Sequence, residues 1–171
     1  MINFKNKIRS IPDWPQKGVI FRDITPVLQD KTLFHGLINE LTKPFLKKKI
    51  DVVVGIDARG FLLATGVAYK LGTGVAIVRK KGKLPFKTIH EKYTLEYAAN
   101  VFEMHCDAIQ PGQRVLLVDD VLATGGTLKA AANLVNKLAG KIIGIALFIE
   151  LKDLGGRKQL KDYQLKSLVQ Y

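Results

Sequence analysis

The sequence predicts an α/β fold in which a mostly parallel central sheet is flanked by helices. Short runs of Val, Ile and Leu alternate with segments of helical spacing, and strands that are buried on both faces have this near-continuous apolar character. The chain has 171 residues, of which 47% are hydrophobic, enough for one domain with a sizeable core. We therefore expect residues 1–171 to form a single domain.

The elements follow in order along the chain. A first long helix is predicted where apolar side chains recur at helical spacing between Phe34 and Phe45, with Thr32 as its N-cap. Buried strands are predicted at Asp51–Asp57, Gly74–Val78, Val115–Val118 and Lys141–Ile149. Helices are predicted over Gly60–Leu71 and over Leu128–Leu138, the second ended by Gly140.

The charge of the chain leaves several classes of partner open. A net charge of +12 is compatible with nucleic-acid binding, with an anionic small substrate, or with a basic surface alone. Lys47–Lys49 follow a helix and favour its dipole. Arg79–Lys83 lie instead between a strand and a long loop, where functional residues are common.

The same composition predicts a cytoplasmic protein without a membrane partner. The apolar runs are too short to span a bilayer, and the first ten residues contain no apolar signal core. The single cysteine, Cys106, excludes an internal disulfide and suits a reducing compartment.

Three unusual stretches directly follow predicted strands. They are "GIDARGF" (Gly55–Phe61), "VRKKGKLP" (Val78–Pro85) and "VDDVLATGGT" (Val118–Thr127). Because ligands of parallel sheets bind beyond the carboxyl ends of the strands, we expect these stretches to form one site.

The last stretch predicts a phosphate-binding turn. Ala123, Thr124, Gly125, Gly126 and Thr127 can direct successive backbone N–H groups inward at the start of a helix, where the helix dipole also favours an anion. The two threonine hydroxyls add donors. Neither a Walker P-loop nor G-x-G-x-x-G occurs, and the missing P-loop lysine indicates a singly phosphorylated group.

Asp119 and Asp120 precede this turn. Adjacent carboxylates repel each other, and the vicinal hydroxyls of a ribose, with a magnesium ion, would satisfy them. The alternative is an acidic pair that only exploits the dipole of the following helix.

The segment "VLLVDDVLATGGT" closely resembles the signature of the type I phosphoribosyltransferases, which bind 5-phosphoribosyl-1-pyrophosphate. Five further stretches, spread over nearly the whole chain, are similar to the branch of that family that uses adenine: Pro12–Leu28, Gly55–Phe61, Arg79–Pro85, Tyr93–Tyr97 and Ser167–Tyr171. The resemblance implies the type I phosphoribosyltransferase fold and a purine-salvage transferase that converts adenine and phosphoribosyl pyrophosphate to AMP and pyrophosphate. It also implies Mg²⁺ as cofactor, a homodimer, and no nucleic-acid partner.

The resemblance implies a role at each matching position. Residues 123–127 would hold the 5′-phosphate, and Asp119 and Asp120 the ribose hydroxyls, with Mg²⁺ bound through substrate and water near Asp119 rather than by a set of protein ligands. The residues implied for pyrophosphate, some of them supplied by a partner subunit, are Asp57, Ala58, Arg59, Arg79, Lys80 and Lys83.

Adenine would lie near a hood segment of about residues 1–30, under a mobile loop of about residues 79–98. The residues implied for the base are Ile20, Phe21, Arg22, Val121, Leu122 and Tyr97. Glu96, Arg59 and Asp120 are the implied catalytic residues, with Glu96 orienting the base from the mobile loop. Ala98 stands where the family usually has glycine, so the backbone of that loop has less conformational freedom at this position.

Non-functional roles for several of these residues stay open. Arg59 could be a surface arginine at a helix start, Arg22 and Asp23 a local ion pair, and Glu96 a solvent-exposed loop residue. Two rival functions also stay open: the same chemistry on another base such as xanthine, and a regulator that binds nucleic acid. The second rival is disfavoured because only residues 1–10 precede the first family motif.

Overall fold

The computed structural model describes residues 2–95 and 98–171. In these residues the strands are β1 (Arg9–Pro12), β2 (Ile20–Asp23), β3 (Val52–Ile56), β4 (Gly74–Lys80), β5 (Thr88–Leu95), β6 (Ala98–His105), β7 (Arg114–Leu122), β8 (Lys141–Glu150) and β9 (Leu165–Gln170). The α-helices are α1 (Thr25–Gln29), α2 (Lys31–Thr42), α3 (Gly60–Leu71) and α4 (Gly126–Lys137).

A seven-stranded sheet in the order β5-β6-β4-β3-β7-β8-β9 forms the centre of the molecule. Strands β4, β3, β7, β8 and β9 are mutually parallel. Strand β6 joins the edge of β4 in the antiparallel direction, and β5 pairs antiparallel with β6. The predicted mostly parallel sheet is therefore confirmed, with a separate two-stranded β1–β2 hairpin beside it.

The loop expected over about residues 79–98 includes regular structure that the sequence did not predict, because β5 and β6 form a hairpin there. This hairpin mixes polar and charged residues such as His90, Glu91 and Lys92 with apolar ones. A strand of that composition lacks the continuous apolar run by which the buried parallel strands were recognised.

The sheet separates two apolar cores. Val54 faces the core shared with α4, and Val53 faces the core shared with α2 and α3, as the period of two along a strand requires. Each fully buried side chain of this kind contributes about 1.5–3 kcal/mol to folding. The two cores hold the strand ends, and therefore the site, in fixed positions.

Two predicted helix ends are wrong. Asp30, not Thr32, caps α2: its Oδ1 accepts hydrogen bonds from the backbone N–H groups of Thr32 (2.8 Å) and Leu33 (2.9 Å). After α4, Ala139 rather than Gly140 has the left-handed backbone, with φ of 57°. None of the helices in the described segments is long and apolar enough to cross a membrane.

Candidate active site

The carboxyl ends of three adjacent parallel strands, β4, β3 and β7, bring the three unusual stretches together. Arg79 is the second-last residue of β4, and its Nε lies 3.4 Å from Oδ2 of Asp57, which follows β3. Arg59 Nε, in the same turn after β3, lies 2.7 Å from Asp120 Oδ2 on β7. The prediction that these stretches share one edge of the sheet is confirmed.

The turn between β7 and α4 presents free backbone donors. Gly125 takes the left-handed conformation, with φ of 92°, and serves as N-cap of α4. The first helical bond runs from Lys129 N to Gly125 O (2.9 Å), so the preceding N–H groups of the helix have no intrahelical acceptor. No acidic side chain occupies the first turn, which leaves these donors and the helix dipole for an anion.

Asp119 and Asp120 are both buried, each with only 6% of its surface exposed. Asp119 Oδ1 accepts a hydrogen bond from the backbone N–H of Asp120 (2.9 Å). Burial raises the pKa of Asp119 well above its usual value, and the neighbouring carboxylate raises it further. Burial also raises the pKa of Asp120, although Arg59 opposes that shift. A hydroxyl donor or a cation nearby would stabilise the ionised form of these buried carboxyl groups.

Unsatisfied polar atoms mark the same place. In the described part of the chain, Asp120 Oδ2 has no aligned hydrogen-bond donor, despite its short ion-pair contact, and Arg59 Nη1 has no acceptor. Buried polar atoms are nearly always hydrogen-bonded in native proteins. The pair is therefore arranged for a ligand that supplies both a donor and an acceptor.

Arg59 also contacts the N-terminal hairpin. Its guanidinium carbon lies 4.8 Å from the centroid of the Phe21 ring, and Trp14 packs edge-on against that ring at 4.4 Å. Arg59 is therefore not the plain surface arginine of the alternative interpretation. Ile20, beside Phe21, is 50% exposed and offers apolar surface at this position.

Arg22 is held by two contacts on different elements. Its Nη1 donates to Ser10 Oγ (2.5 Å), and its guanidinium carbon lies 3.7 Å from the centroid of the Tyr171 ring. Asp23 instead pairs with Arg9 at 3.4 Å. The alternative of a local Arg22–Asp23 ion pair is therefore wrong.

A buried carboxylate that the sequence analysis missed holds the basic turn, by which we mean residues Arg79–Lys83. Glu103 Oε1 accepts hydrogen bonds from the backbone N–H groups of Lys83 (2.9 Å) and Leu84 (2.8 Å). Arg79 Nη1 donates to Lys83 O (3.1 Å) across the same turn. Burial opposes ionisation of Glu103, but the backbone donors outweigh it and lower its pKa.

The sequence does contain a feature that could have indicated the buried position of Glu103, namely a single acidic residue between two apolar residues. Phe102 and Met104, its neighbours in β6, are 2% and 0% exposed. Glu103 itself is only 3% exposed, and a buried acid requires nearby donors. Lys80 and Lys83 of the basic turn are exposed, so their ammonium groups are accessible to an anion.

The remaining predicted residues differ in their placement. Leu122 is 1% exposed and belongs to the core on the α4 side, so its side chain offers no surface to a base, whereas Val121 is half-buried. Glu96 and Tyr97 lie outside the described residues. Other predicted residues with at least partial exposure at this edge are Ala58, Ala123, Thr124, Gly126 and Thr127.

A parallel sheet whose edge carries free N–H donors at a helix start, a buried pair of carboxylates and an arginine from the neighbouring strand end is the arrangement expected of a phosphoribosyltransferase. The family described as phosphoribosyl transferase domain matches residues 28–170. An adenine phosphoribosyltransferase of Brachyspira hyodysenteriae is 48% identical over 170 residues, which cover 99% of this chain and 100% of that protein.

Solved structures agree with this similarity. The adenine phosphoribosyltransferase of Thermoanaerobacter pseudethanolicus superimposes with a TM-score of 0.96 at 47% identity, covering 98% of both chains. That of Saccharomyces cerevisiae, complexed with an imino-altritol bisphosphate and adenine, has a TM-score of 0.91 at 36% identity, covering 96% of this chain and 95% of its own. The chain belongs to the adenine phosphoribosyltransferase family, within the type I phosphoribosyltransferases, as the motifs predicted.

Proposed function

We propose that this chain transfers the phosphoribosyl group of 5-phosphoribosyl-1-pyrophosphate to adenine, giving AMP and pyrophosphate. The observation that carries the proposal is the shared edge of β4, β3 and β7, where anion-binding donors and buried carboxylates lie side by side. Its relatives over the full chain bear the name of this activity. The yeast relative was solved with adenine and a sugar-like bisphosphate.

Residues 123–127, which we call the phosphate turn, and the two carboxylates would bind the ribose 5-phosphate. The free N–H groups at the start of α4 suit a phosphate, and the hydroxyls of Thr124 and Thr127 add donors. Asp119 and Asp120 would accept hydrogen bonds from the ribose hydroxyls. Those hydrogen bonds would compensate for the loss of solvation that raises the pKa of Asp119.

Positive groups from two strand ends would bind the pyrophosphate. Arg59 lies beside Asp120 and Arg79 beside Asp57, and Lys80 and Lys83 extend the same positive surface. As the bond between C1 and pyrophosphate lengthens, charge develops on the leaving oxygen. Donors that are already fixed in place stabilise that charge without reorganisation.

The residues at this edge fit a magnesium ion that arrives with the substrate. Mg²⁺ in such sites is held by one or two carboxylates, waters and substrate phosphates, and we propose that it would bind through substrate and water near Asp119. Over residues 2–95 and 98–171, no cluster of three or more His, Cys, Asp or Glu side chains could hold a metal by itself. Bound Mg²⁺ would neutralise charge on the departing pyrophosphate.

The base would lie between the N-terminal hairpin and the end of β7. Ile20, Phe21 and Arg22 stand on the hairpin near Arg59, and Val121, half-buried near the end of β7, would contact the base from the sheet. Glu96 remains the proposed group that orients adenine, since a carboxylate accepts a hydrogen bond from an amine or a protonated ring nitrogen but repels an anionic oxopurine. Tyr97 would help to close the site.

The test is pyrophosphate release from phosphoribosyl pyrophosphate and Mg²⁺, with adenine, hypoxanthine, guanine and xanthine offered separately. We expect turnover with adenine alone, and none after chelation of Mg²⁺. Turnover with another base would retain the phosphate chemistry and refute the assignment of the base site. Absence of turnover with every base, from folded protein that still binds phosphoribosyl pyrophosphate, would refute the proposed reaction.

We also propose a homodimer that forms through an apolar face on α2 and α3. Leu62 is 53% exposed and Tyr69 is 90% exposed, and with Leu28, Phe34 and Gly66 they line a groove of about 500 Å³. This face begins one turn after Arg59, so a second copy seated there would lie next to the site. Such exposed apolar patches usually mark interfaces.

Sedimentation of the protein tests the dimer. We expect twice the chain mass of 19.0 kDa, and a monomer after Leu62→Glu. A wild-type monomer at micromolar concentration would contradict the proposal.

We propose a cytoplasmic location because the sequence contains a single cysteine, and localisation of a tagged chain would test it.

A further inference from the structure

A segment outside the predicted motifs packs directly against the phosphate turn. We call Gly155–Gln159, which follows β8, the supporting segment. A Cβ built on Gly156 would lie 2.2 Å from Ala123 O and 2.9 Å from Gly125 N. A Cβ on Gly125 would conversely lie 2.6 Å from Gly156 O. The two backbones therefore lie so close together that no side chain fits at Gly156.

A hydrogen bond reinforces this contact. Gln159 Nε2 donates to Thr124 O at 2.9 Å. The carbonyls of Ala123 and Thr124 thus both face the supporting segment. Because carbonyl and N–H point in opposite directions across a planar trans peptide, the N–H groups of Thr124 and Gly125 face away from it, toward the open side of the turn.

The supporting segment is itself fixed to the sheet. Arg157 forms a two-pronged ion pair with Glu150, with Nη2 2.6 Å from Oε2 and Nε 2.8 Å from Oε1. Glu150 is 3% exposed and also accepts a hydrogen bond from Ser167 Oγ (2.6 Å). At the start of the connection, Leu151 N donates to Leu122 O (2.9 Å). Bidentate arginine pairs of this kind restrict orientation strongly.

We propose that the supporting segment orients the donors of the phosphate turn, with Gly156 and Gln159 as positioning residues for the phosphate of the substrate. Neither residue touches the substrate in this proposal. Gly156 lets the two backbones approach closely enough for the segment to support the turn, and Gln159 holds the carbonyl of the peptide between Thr124 and Gly125. The inference rests on the proposed role of the turn in holding the 5′-phosphate.

Substitution of Gly156 by alanine tests the contact. The new methyl group must displace Ala123 or Gly125, so we expect Gly156→Ala to raise the KM for phosphoribosyl pyrophosphate and the Kd for AMP about tenfold, with kcat at saturation changed less than threefold. A merely structural role would lower the folded fraction and hence kcat, but would leave both constants unchanged. Gly74→Ala is the matched control, since a Cβ there meets nothing within 4 Å.

Gln159→Leu is the second variant, because it retains the size of the side chain and removes the donor to Thr124 O. We expect it to raise the same KM and Kd about threefold. If Gly156→Ala does not fold, Gln159→Leu alone decides. Unchanged constants in Gln159→Leu and in a folded Gly156→Ala overturn the inference.

Thr127→Val separates this inference from the proposed function. If Thr127→Val weakens AMP binding while the Gly156 and Gln159 variants do not, the turn binds phosphate without help from the supporting segment. If none of the three variants affects AMP binding, the inference is overturned, whereas the proposed reaction is decided separately by the turnover test with adenine.

Discussion

Arg59 and Asp120 form an ion pair that is incomplete by itself. The Arg59 side chain is 33% exposed and the Asp120 side chain 9% exposed, so one partner reaches solvent while the other stays buried. Their single short contact leaves Arg59 Nη1 and Asp120 Oδ2 without aligned partners. Removal of one member of such a pair costs more free energy than the contact itself contributes, because the other charged group remains buried and unpaired.

We therefore expect Asp120→Asn and Arg59→Ala each to lower kcat/KM for phosphoribosyl pyrophosphate at least about tenfold, equivalent to roughly 1.4 kcal/mol of transition-state stabilisation. Steady-state pyrophosphate release measures the effect. Lys43→Ala is the control, since Lys43 is exposed and pairs only loosely with Glu40 at 3.8 Å. Wild-type rates in both site variants would show that the pair takes no part in binding or catalysis.

At the scale of elements, the β5–β6 hairpin holds the basic turn in addition to extending the sheet. Within the described residues, strand β6 pairs with β4 at Arg79 with Glu103 and Lys80 with Phe102, and Lys81 N donates to Val101 O (2.9 Å) just beyond them. The side chain of Glu103 extends this connection by binding two backbone N–H groups beyond the last pair. The hairpin therefore fixes the shape of the turn whose lysines reach solvent.

Glu103→Gln tests this link. The amide retains an acceptor oxygen but loses the charge that strengthens both hydrogen bonds, so we expect a rise of about threefold to tenfold in the KM for phosphoribosyl pyrophosphate and faster tryptic cleavage within Arg79–Lys83. Glu91→Gln is the matched control on the same hairpin, because the Glu91 carboxylate pairs with Lys137 of α4 at 2.6 Å instead of accepting from the backbone of the turn. Equal KM values for the two variants would refute the role of Glu103.

The sequence was sufficient for features that are local along the chain. The apolar runs of β3 and β7 and the helix Gly60–Leu71 were predicted from the sequence pattern, and so was the turn between β7 and α4. Glu103 and Gly156 were missed because their roles depend on contacts with residues distant in sequence. The cap of α2 was misplaced by two residues, because Asp30 and Thr32 are both good N-caps and only the backbone geometry distinguishes them.

At the scale of the whole molecule, the buried carboxylate of Glu150 connects three parts of the chain. They are the edge strands β8 and β9 and the supporting segment behind the phosphate turn. Glu150 ends β8, accepts from Ser167 and Gln170 of β9, and binds Arg157 of the supporting segment. The hydrogen bonds from Arg157, with those from Ser167 and Gln170, lower the pKa of Glu150 from 4.5 to about 2 despite its burial. The charge of Glu150 is therefore a stabilising feature of the folded chain.

The sign of the resulting pH dependence follows from that lowered pKa. A carboxylate whose pKa is lower in the folded than in the unfolded chain stabilises the fold fully above its unfolded value. That contribution is lost as the pH falls from about 4.5 toward 2. We expect Glu150→Gln to lower the free energy of unfolding at pH 7 by about 2 kcal/mol, less than for a fully buried pair because Arg157 is half exposed.

Urea unfolding of wild type and Glu150→Gln between pH 7 and pH 2.5 measures this difference. The two free energies should converge as the pH falls, because protonation removes from the wild type the same charge that the substitution removes. Glu40→Gln, at an exposed helical position with a loose partner, should follow the wild type throughout. A gap between wild type and Glu150→Gln that stays constant with pH would show that the substitution acts through packing, and that the ionised network does not stabilise the fold.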